Sequence, residues 1–209
     1  MKNRATRVVA TVLGVYSGLL GMAHGVFEYR QGSLPTESVL IAAIGAPCQM
    51  ESAWHACFPA MTLVPNFRLS GILTLIIGVV ILVWTSAFVQ RKRGWLILIL
   101  LSIGSMLVGA GFTPPALGVL AGAIGSQINR PLGDRKGLLS GNFGVFLSTL
   151  WPWSLVAYVS WIVFQTCLGF FAGDVMLKLG AASLLITNTF LLVMILTGLS
   201  FDRHTQLVG

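Results

Sequence analysis

Charged residues are scarce in this chain. Only 9% of its 209 residues are Asp, Glu, Lys or Arg, whereas 56% are hydrophobic. A soluble domain carries about 25% charged residues, so this chain has too little polar surface to cover itself in water. The scarcity excludes an ordinary soluble globular protein and indicates a protein whose solvent is lipid.

Acidic residues are the rarest charged type, with 6 Asp and Glu against 13 Lys and Arg. The basic residues lie in short clusters between apolar runs, as they do in the loops that set membrane topology. The net charge of +7 therefore does not indicate nucleic-acid binding. No acidic residue lies at the middle of an apolar run, which disfavours a pump with a carboxylate at the bilayer midplane.

Catalytic signatures are missing as well. The chain has no GxSxG, Walker A or HExxH motif and no Rossmann glycine pattern, which are the patterns that common enzyme classes require. Its 3 cysteines form no CxxC pair of the kind used in redox sites. These absences favour a protein that is not an enzyme.

What the chain does have is apolar runs of about 20 residues, the length that crosses a bilayer core of roughly 30 Å. The runs are continuous, whereas membrane β-strands alternate apolar and polar residues. We predict an all-α, polytopic transmembrane helical bundle that forms a single domain over residues 1–209. The predicted spans are residues 8–28, 69–89, 95–112, 116–128, 142–169 and 178–200.

The segment 116–128 decides the span count, because 13 residues rise only about 20 Å as a helix. If it crosses, Lys and Arg divide 10 to 3 between inside and outside; if it does not, they divide 7 to 6. The positive-inside rule favours the first division. It predicts six spans with both termini cytoplasmic, in the plasma membrane; five spans plus a re-entrant segment is the alternative.

Prolines and a long loop mark the breaks between these spans. Pro114 and Pro115 are expected to end the third span, and Pro152 is expected to kink the fifth, because proline lacks an N–H and clashes with the preceding turn. Residues 29–67 form a long extracytoplasmic cap loop between the first two spans. Within that loop, residues 36–45 are predicted to form a short helix.

The first span carries a stripe of small residues. Its glycines fall within about 60° of one another on a helical projection; they are Gly14, Gly18, Gly21 and Gly25. Such a stripe is expected to face a neighbouring helix, and the glycine-rich fourth segment is the expected neighbour. Ser17, His24 and Glu28 lie on the edge of the stripe, so they are predicted to point into the bundle.

The ionisable pair His24 and Glu28 is the main candidate site. Such residues are costly in a span and usually have a reason to be there. Glu51 and His55 of the outer loop share a face if that stretch is helical, and all four side chains together would suit a divalent metal such as zinc, iron or manganese. A hydrogen-bonded structural cluster is the alternative interpretation.

Three further residues are singled out. Cys48 and Cys57 lie on the outer side, where disulfides form, so a disulfide between them is predicted; a redox-active dithiol, metal ligation and free thiols are the alternatives. Asn188 lies within the last predicted span. It is expected either to form a hydrogen bond between helices or to line a solute path.

Three functions are compatible with this pattern. The favoured one is a small-ligand-binding, transport-type or accessory subunit whose polar site faces the extracytoplasmic side. The alternatives are a metal- or thiol-dependent membrane oxidoreductase and a purely structural or assembly protein. The expected partners are the lipid bilayer and another membrane protein or a second copy of the chain.

Overall fold

The computed structural model describes residues 3–42, 59–132 and 141–208. Within these ranges the chain is mostly helical, with eight helices and two short strands. In chain order the elements are α1 (Arg4–Arg30), β1 (Leu40–Ala42), β2 (Pro59–Met61), α2 (Phe67–Phe88), α3 (Gly94–Met106), α4 (Thr113–Gly125), α5 (Gly141–Thr149), α6 (Trp151–Phe171), α7 (Gly173–Lys178) and α8 (Gly180–Val208).

Four of the helices, α1, α2, α6 and α8, are long and apolar enough to cross a membrane. The prediction of a helical membrane protein is confirmed to this extent. The third and fourth predicted spans correspond to α3 and α4, which have 13 residues each and rise only about 20 Å, short of a bilayer core. The count of six spans therefore stays a prediction.

Helix α2 shows the burial pattern expected of a protein in lipid. Its buried positions are mostly small or hydroxylated, among them Ser70, Gly71 and Thr74. Its exposed positions are large and apolar, such as Ile76 and Val83, each 55% exposed. Helices in lipid associate through close packing and hydrogen bonds, whereas large apolar side chains are equally at home in the lipid. The small and hydroxylated residues of α2 therefore lie mostly inside, and most of its large apolar residues lie outside.

The contacts between residues divide the described part of the chain into two compact units. The N-terminal unit comprises residues 10–42 and 59–126, which include most of α1, the two strands and α2 to α4. The C-terminal unit comprises residues 3–9, 127–132 and 141–208, which include the start of α1 and α5 to α8. Each unit is described by itself below.

In the N-terminal unit, α1 packs against α2 through its glycines. A Cβ built at Gly14 would overlap the side chain of Thr85, and one at Gly25 would lie 2.9 Å from the carbonyl oxygen of Gly71. The prediction that the stripe faces a neighbouring helix is confirmed. The neighbour is chiefly α2 rather than the expected fourth segment, because α2 carries small residues of its own where the two backbones approach.

The glycines of α4 face α3 instead. A Cβ at Gly122 would lie 2.8 Å from the carbonyl oxygen of Trp95, so the backbones of α3 and α4 are nearly in contact. Helix α4 also reaches α1, where the buried Ser17 hydroxyl donates to the carbonyl oxygen of Pro114 at 2.6 Å. Helices α3 and α4 thus form a tight hairpin beside α1.

The turn of this hairpin spans residues 107–112, and it corrects the predicted end of the third span. Helix α3 ends at Met106, well before the two prolines, and the backbone then adopts positive φ at Gly109 (112°) and Gly111 (77°). Glycine adopts such angles without the clash that a Cβ causes. The prolines stand at the first positions of α4, where the missing N–H would have had no helical partner.

A second correction concerns the outer loop. Residues 40–42, predicted to be helical, form strand β1 and pair antiparallel with β2, Ile41 opposite Ala60. Ile41 is buried while its two neighbours in the strand are exposed, which is the period of a strand and not of a helix. Beyond β2, the Leu63 amide donates to the Leu107 carbonyl oxygen at 2.9 Å, which attaches this segment to the α3–α4 turn.

In the C-terminal unit, the predicted kink of the fifth span is a complete break. Helix α5 ends at Thr149 and α6 begins at Trp151, with Pro152 in the first turn of α6. Asp202, near the end of α8, accepts the amide hydrogens of Ala5 at 3.0 Å and Thr6 at 2.6 Å. The carboxylate of α8 thus caps the first turn of α1, whose amides have no partner within their own helix.

Candidate functional site

The site is built around Glu28, two residues before the end of α1. Its side chain is 0% exposed, and neither carboxylate oxygen has a hydrogen-bond partner among the described residues. One helical turn earlier, His24 is partly buried and its Nδ1 is buried without a partner in the same part of the chain. The prediction that both residues point inward from the glycine stripe is confirmed for Glu28 in full and for His24 in part.

The α3–α4 turn forms the wall that these two side chains contact. A Cβ built at Gly109 would overlap both oxygens of Glu28 and lie 2.6 Å from the carboxylate carbon. A Cβ at Gly111 would lie 2.8 to 3.2 Å from three atoms of the His24 ring. Only glycine leaves room for the carboxylate and the imidazole to lie against the backbone, and only glycine readily adopts the positive φ of this turn.

A cluster of three buried hydroxyl groups lies beside the carboxylate, and Ser70 of α2 is its member next to Glu28. Ser70 and Thr74 both donate to the carbonyl oxygen of Val108, each at 2.6 Å. Thr62, which follows β2, lies 2.9 Å from the Ser70 oxygen. The cluster therefore joins α2, the outer segment and the α3–α4 turn at one point.

Counting hydroxyl protons shows that this cluster has none to spare for the carboxylate, so a hydrogen bond between Ser70 and Glu28 needs a proton on the carboxyl group. A hydroxyl has one proton to donate, and those of Ser70 and Thr74 go to Val108. Because the Ser70 proton is committed, the Thr62 hydroxyl is the donor in its bond to Ser70. The site is rich in acceptor oxygens and short of donors, so a ligand that brings positive charge or donor hydrogens would satisfy it.

Two of the predicted site residues are thus adjacent, and the others are not tested. Glu51, His55, Cys48 and Cys57 lie outside the described residues, so the four-residue metal site and the disulfide stay predictions. Within the part of the chain that the structure describes, no group of three or more His, Cys, Asp or Glu side chains is placed to hold a metal ion.

Asn188 belongs to the C-terminal unit. It is exposed, and its amide donates to the Leu184 carbonyl oxygen of its own helix at 2.8 Å. The neighbouring Thr187 makes the interhelical hydrogen bonds instead. The Thr187 hydroxyl donates to the Gln165 oxygen of α6 at 2.9 Å and accepts from the indole N–H of Trp161 at the same distance.

Sequence reasoning missed the hydroxyl cluster and the two glycines of the turn. Ser70 and Thr74 are spaced by four residues in an otherwise apolar helix, and that spacing is the signal that a polar stripe on α2 would have. The pattern Gly109-Ala-Gly111 likewise marks a turn that helix propensity disfavours. Neither signal predicts that these residues lie next to Glu28.

Comparison with known proteins identifies no relative. No protein-family model, no curated protein and no solved structure matches the chain. The function therefore has to be inferred from the site alone.

Proposed function

We propose that this chain is a multi-pass membrane protein of the binding or transport type. Its carboxylate at Glu28 would hold a small ligand that carries one positive charge. The single observation that carries the proposal is the complete burial of this carboxylate without a hydrogen-bond donor among the described residues. A buried carboxyl group avoids the cost of an unpaired charge by binding a proton or a cation, so a cation that fits the site competes with that proton.

The chemistry of the surrounding atoms supports a hard monovalent cation or an ammonium group. The hydroxyl group of Ser70 lies next to the carboxylate, and it shares the Val108 carbonyl oxygen with the Thr74 hydroxyl. Oxygen ligands suit hard cations, whereas transition metals favour imidazole and thiolate. One carboxylate balances one positive charge, while a divalent ion would leave an excess charge buried. His24 supplies one nitrogen, which is the remaining argument for a divalent metal.

The proposed topology places this site near the extracytoplasmic side of the plasma membrane. Both termini would be cytoplasmic, and the division of 10 to 3 in Lys and Arg supports that orientation. The α3–α4 hairpin would enter from the cytoplasmic side and bring its turn to the outer end of α1. A reporter fused after Lys136 should then be cytoplasmic, and an extracytoplasmic reading would contradict the topology.

The ligand is tested with the purified full-length chain in a neutral detergent. Thermal unfolding is followed by tryptophan fluorescence in a low-salt buffer to which NaCl, KCl, NH₄Cl or choline chloride is added at one ionic strength. At about ten times the dissociation constant, a bound cation stabilises the folded state by about 1.4 kcal/mol. For a chain of this length, that corresponds to a rise in Tm of roughly 3–6 °C.

The variant Glu28→Gln should lose this rise, because its amide keeps the shape and removes the charge. The matched control is Glu37→Gln, an exposed acidic residue of the outer segment, which should keep the rise. The proposal is wrong if none of the four salts raises Tm above the value in the low-salt buffer, or if the rise persists in Glu28→Gln. A rise with ZnCl₂ alone, lost in His24→Ala, would support the divalent metal instead.

A further inference from the structure

A second group of buried polar atoms without partners lies near the end of α8, in the C-terminal unit. Arg203 is only 8% exposed and Ser200 only 2%. The Nε and Nη1 atoms of Arg203 and the hydroxyl oxygen of Ser200 are buried and have no hydrogen-bond partner among the described residues. On a helix, residues three apart are neighbours on one face, so these donors lie side by side.

The adjacent carboxylate does not satisfy them. Asp202 is committed to α1, where it accepts the amides of Ala5 and Thr6 and the Thr6 hydroxyl, the last at 2.7 Å. The other acidic residue in the described part of this unit is Asp174, which is exposed near the opposite end of α8. Arg203 therefore has a buried charge with no carboxylate of this part of the chain directed to it.

A guanidinium stays protonated in proteins, and burying a charge without a partner is strongly unfavourable. The guanidinium N–H groups are hydrogen-bond donors, and the Ser200 hydroxyl can also donate. An anion with several acceptor oxygens would satisfy all of them at once. Phosphate oxygens match the planar fork of arginine, which binds them through two parallel hydrogen bonds.

We propose that Arg203 and Ser200 form a binding site for a phosphate group at this end of α8. The site lies where the apolar part of the helix gives way to the polar sequence Asp202-Arg-His-Thr-Gln206. Basic pockets at such membrane boundaries bind the head groups of anionic lipids. The phosphate group belongs to a lipid head group or to a free phosphate ion, and both have the chemistry that this site recognises.

The experiment uses the full-length chain in neutral detergent and measures binding in two ways. Inorganic phosphate is titrated against chloride at a constant sodium concentration, and thermal unfolding is recorded. Separately, the micelles are doped with phosphatidylglycerol or phosphatidylcholine, and retained lipid is counted by native mass spectrometry. Stabilisation by inorganic phosphate identifies a free-phosphate site, whereas selective retention of phosphatidylglycerol identifies a lipid site.

The variants assign the effect to the two residues. Arg203→Gln should weaken whichever probe binds by about tenfold or more, because hydrogen bonds to charged groups are the strong ones. Ser200→Ala should weaken it by roughly two- to tenfold without disturbing the fold, which keeps the test valid if Arg203→Gln does not fold. The matched control is Arg4→Gln, an exposed arginine of the same unit, which should bind as the wild type does.

Two results would overturn the proposal. One is that neither phosphate probe binds, or that binding is the same in Ser200→Ala and in folded Arg203→Gln as in the wild type. The other concerns Asp134, an acidic residue outside the described ranges: Asp134→Asn destabilises the protein as much as Arg203→Gln does, and the double variant is no worse. That pattern would mean that Arg203 is paired within the chain and has no need of an anion.

Discussion

Gly109 offers the most discriminating test of how the candidate site is built. Its φ is +112°, and a Cβ at this position would overlap both oxygens of the buried Glu28 carboxylate. Substituting alanine therefore imposes two separate penalties, one on the backbone and one on the carboxylate. The two can be measured apart, because Gly32 also has a positive φ, +81°, yet a Cβ added there would have no atom within 4 Å.

The sizes of the two penalties follow from the geometry. A non-glycine residue held at such a φ costs about 1–3 kcal/mol, and this applies to Gly109→Ala and to Gly32→Ala alike. Forcing an extra methyl group into a packed site adds about 1–3 kcal/mol, and this applies to Gly109→Ala alone. We expect Gly109→Ala to lower the free energy of unfolding by about 2–5 kcal/mol and Gly32→Ala by about 1–3 kcal/mol.

The assay is thermal unfolding of the single and double variants in one detergent and one low-salt buffer, so that little cation is present to bind. If the collision with the carboxylate is real, Glu28→Ala makes room for the new methyl group. The double variant Glu28→Ala, Gly109→Ala should then be more stable than the sum of the single effects predicts, with a coupling of about 1–2 kcal/mol. Additive effects, or equal losses in Gly109→Ala and Gly32→Ala, would refute the contact between Glu28 and the turn.

Two further substitutions test the packing within each unit. Gly71→Ala should cost about 1–3 kcal/mol, because its Cβ would lie 2.5 to 2.9 Å from backbone atoms of α1. The control Gly104→Ala, whose Cβ would have nothing within 4 Å, should change stability by less than about 0.5 kcal/mol. Equal Tm values for the two variants would contradict the close approach of α1 and α2. Asp202→Asn should lower the free energy of unfolding by about 1–2 kcal/mol, as the loss of a helix cap does. The control Asp174→Asn, at an exposed position, should be neutral in the same unfolding assay. A neutral Asp202→Asn would show that the cap contributes nothing.

The first helix was the part of the fold that could be predicted best from the sequence. Its period of 3.6 residues and its glycines determine which face is buried, and Gly14 and Gly25 indeed meet α2. The burial of Glu28 followed from the same angular count. Helical periodicity is a local property, so the sequence alone was enough to assign an inward face.

The α3–α4 turn could not be predicted in the same way. The average hydropathy of the third span stays high through its small residues Gly109, Ala110 and Gly111. The sequence therefore predicts a continuous span up to the prolines. The positive φ angles that follow the end of the helix accompany contacts with Glu28 and His24, which belong to a different helix far away in the chain. Strand β1 could not be predicted for a related reason, since its partner strand β2 lies in a distant part of the same outer loop.

The identity of the neighbouring helix also depends on tertiary contacts. A glycine stripe predicts that some backbone comes close but does not say which one. Both α2 and α4 carry small residues, and α4 uses its own against α3, with Gly122 against Trp95. Which helices pack together in this unit therefore depends on which small-residue surfaces are not already in contact with another helix. To predict it, the positions of all the helices have to be known.

The two buried carboxylates of the described chain show why donor count, rather than burial, distinguishes a structural acid from a binding acid. Asp202 and Glu28 are equally hidden, at 3% and 0% exposed. Asp202 accepts three hydrogen bonds, two from amides and one from a hydroxyl, so its charge is balanced by the chain itself and it caps a helix. Glu28 accepts none from the described residues, although three hydroxyl groups stand nearby, because their protons are directed to Val108 and to one another. A chain that needed Glu28 only for packing would be more stable with glutamine or leucine there, so the donor it lacks is the strongest reason to look for a ligand.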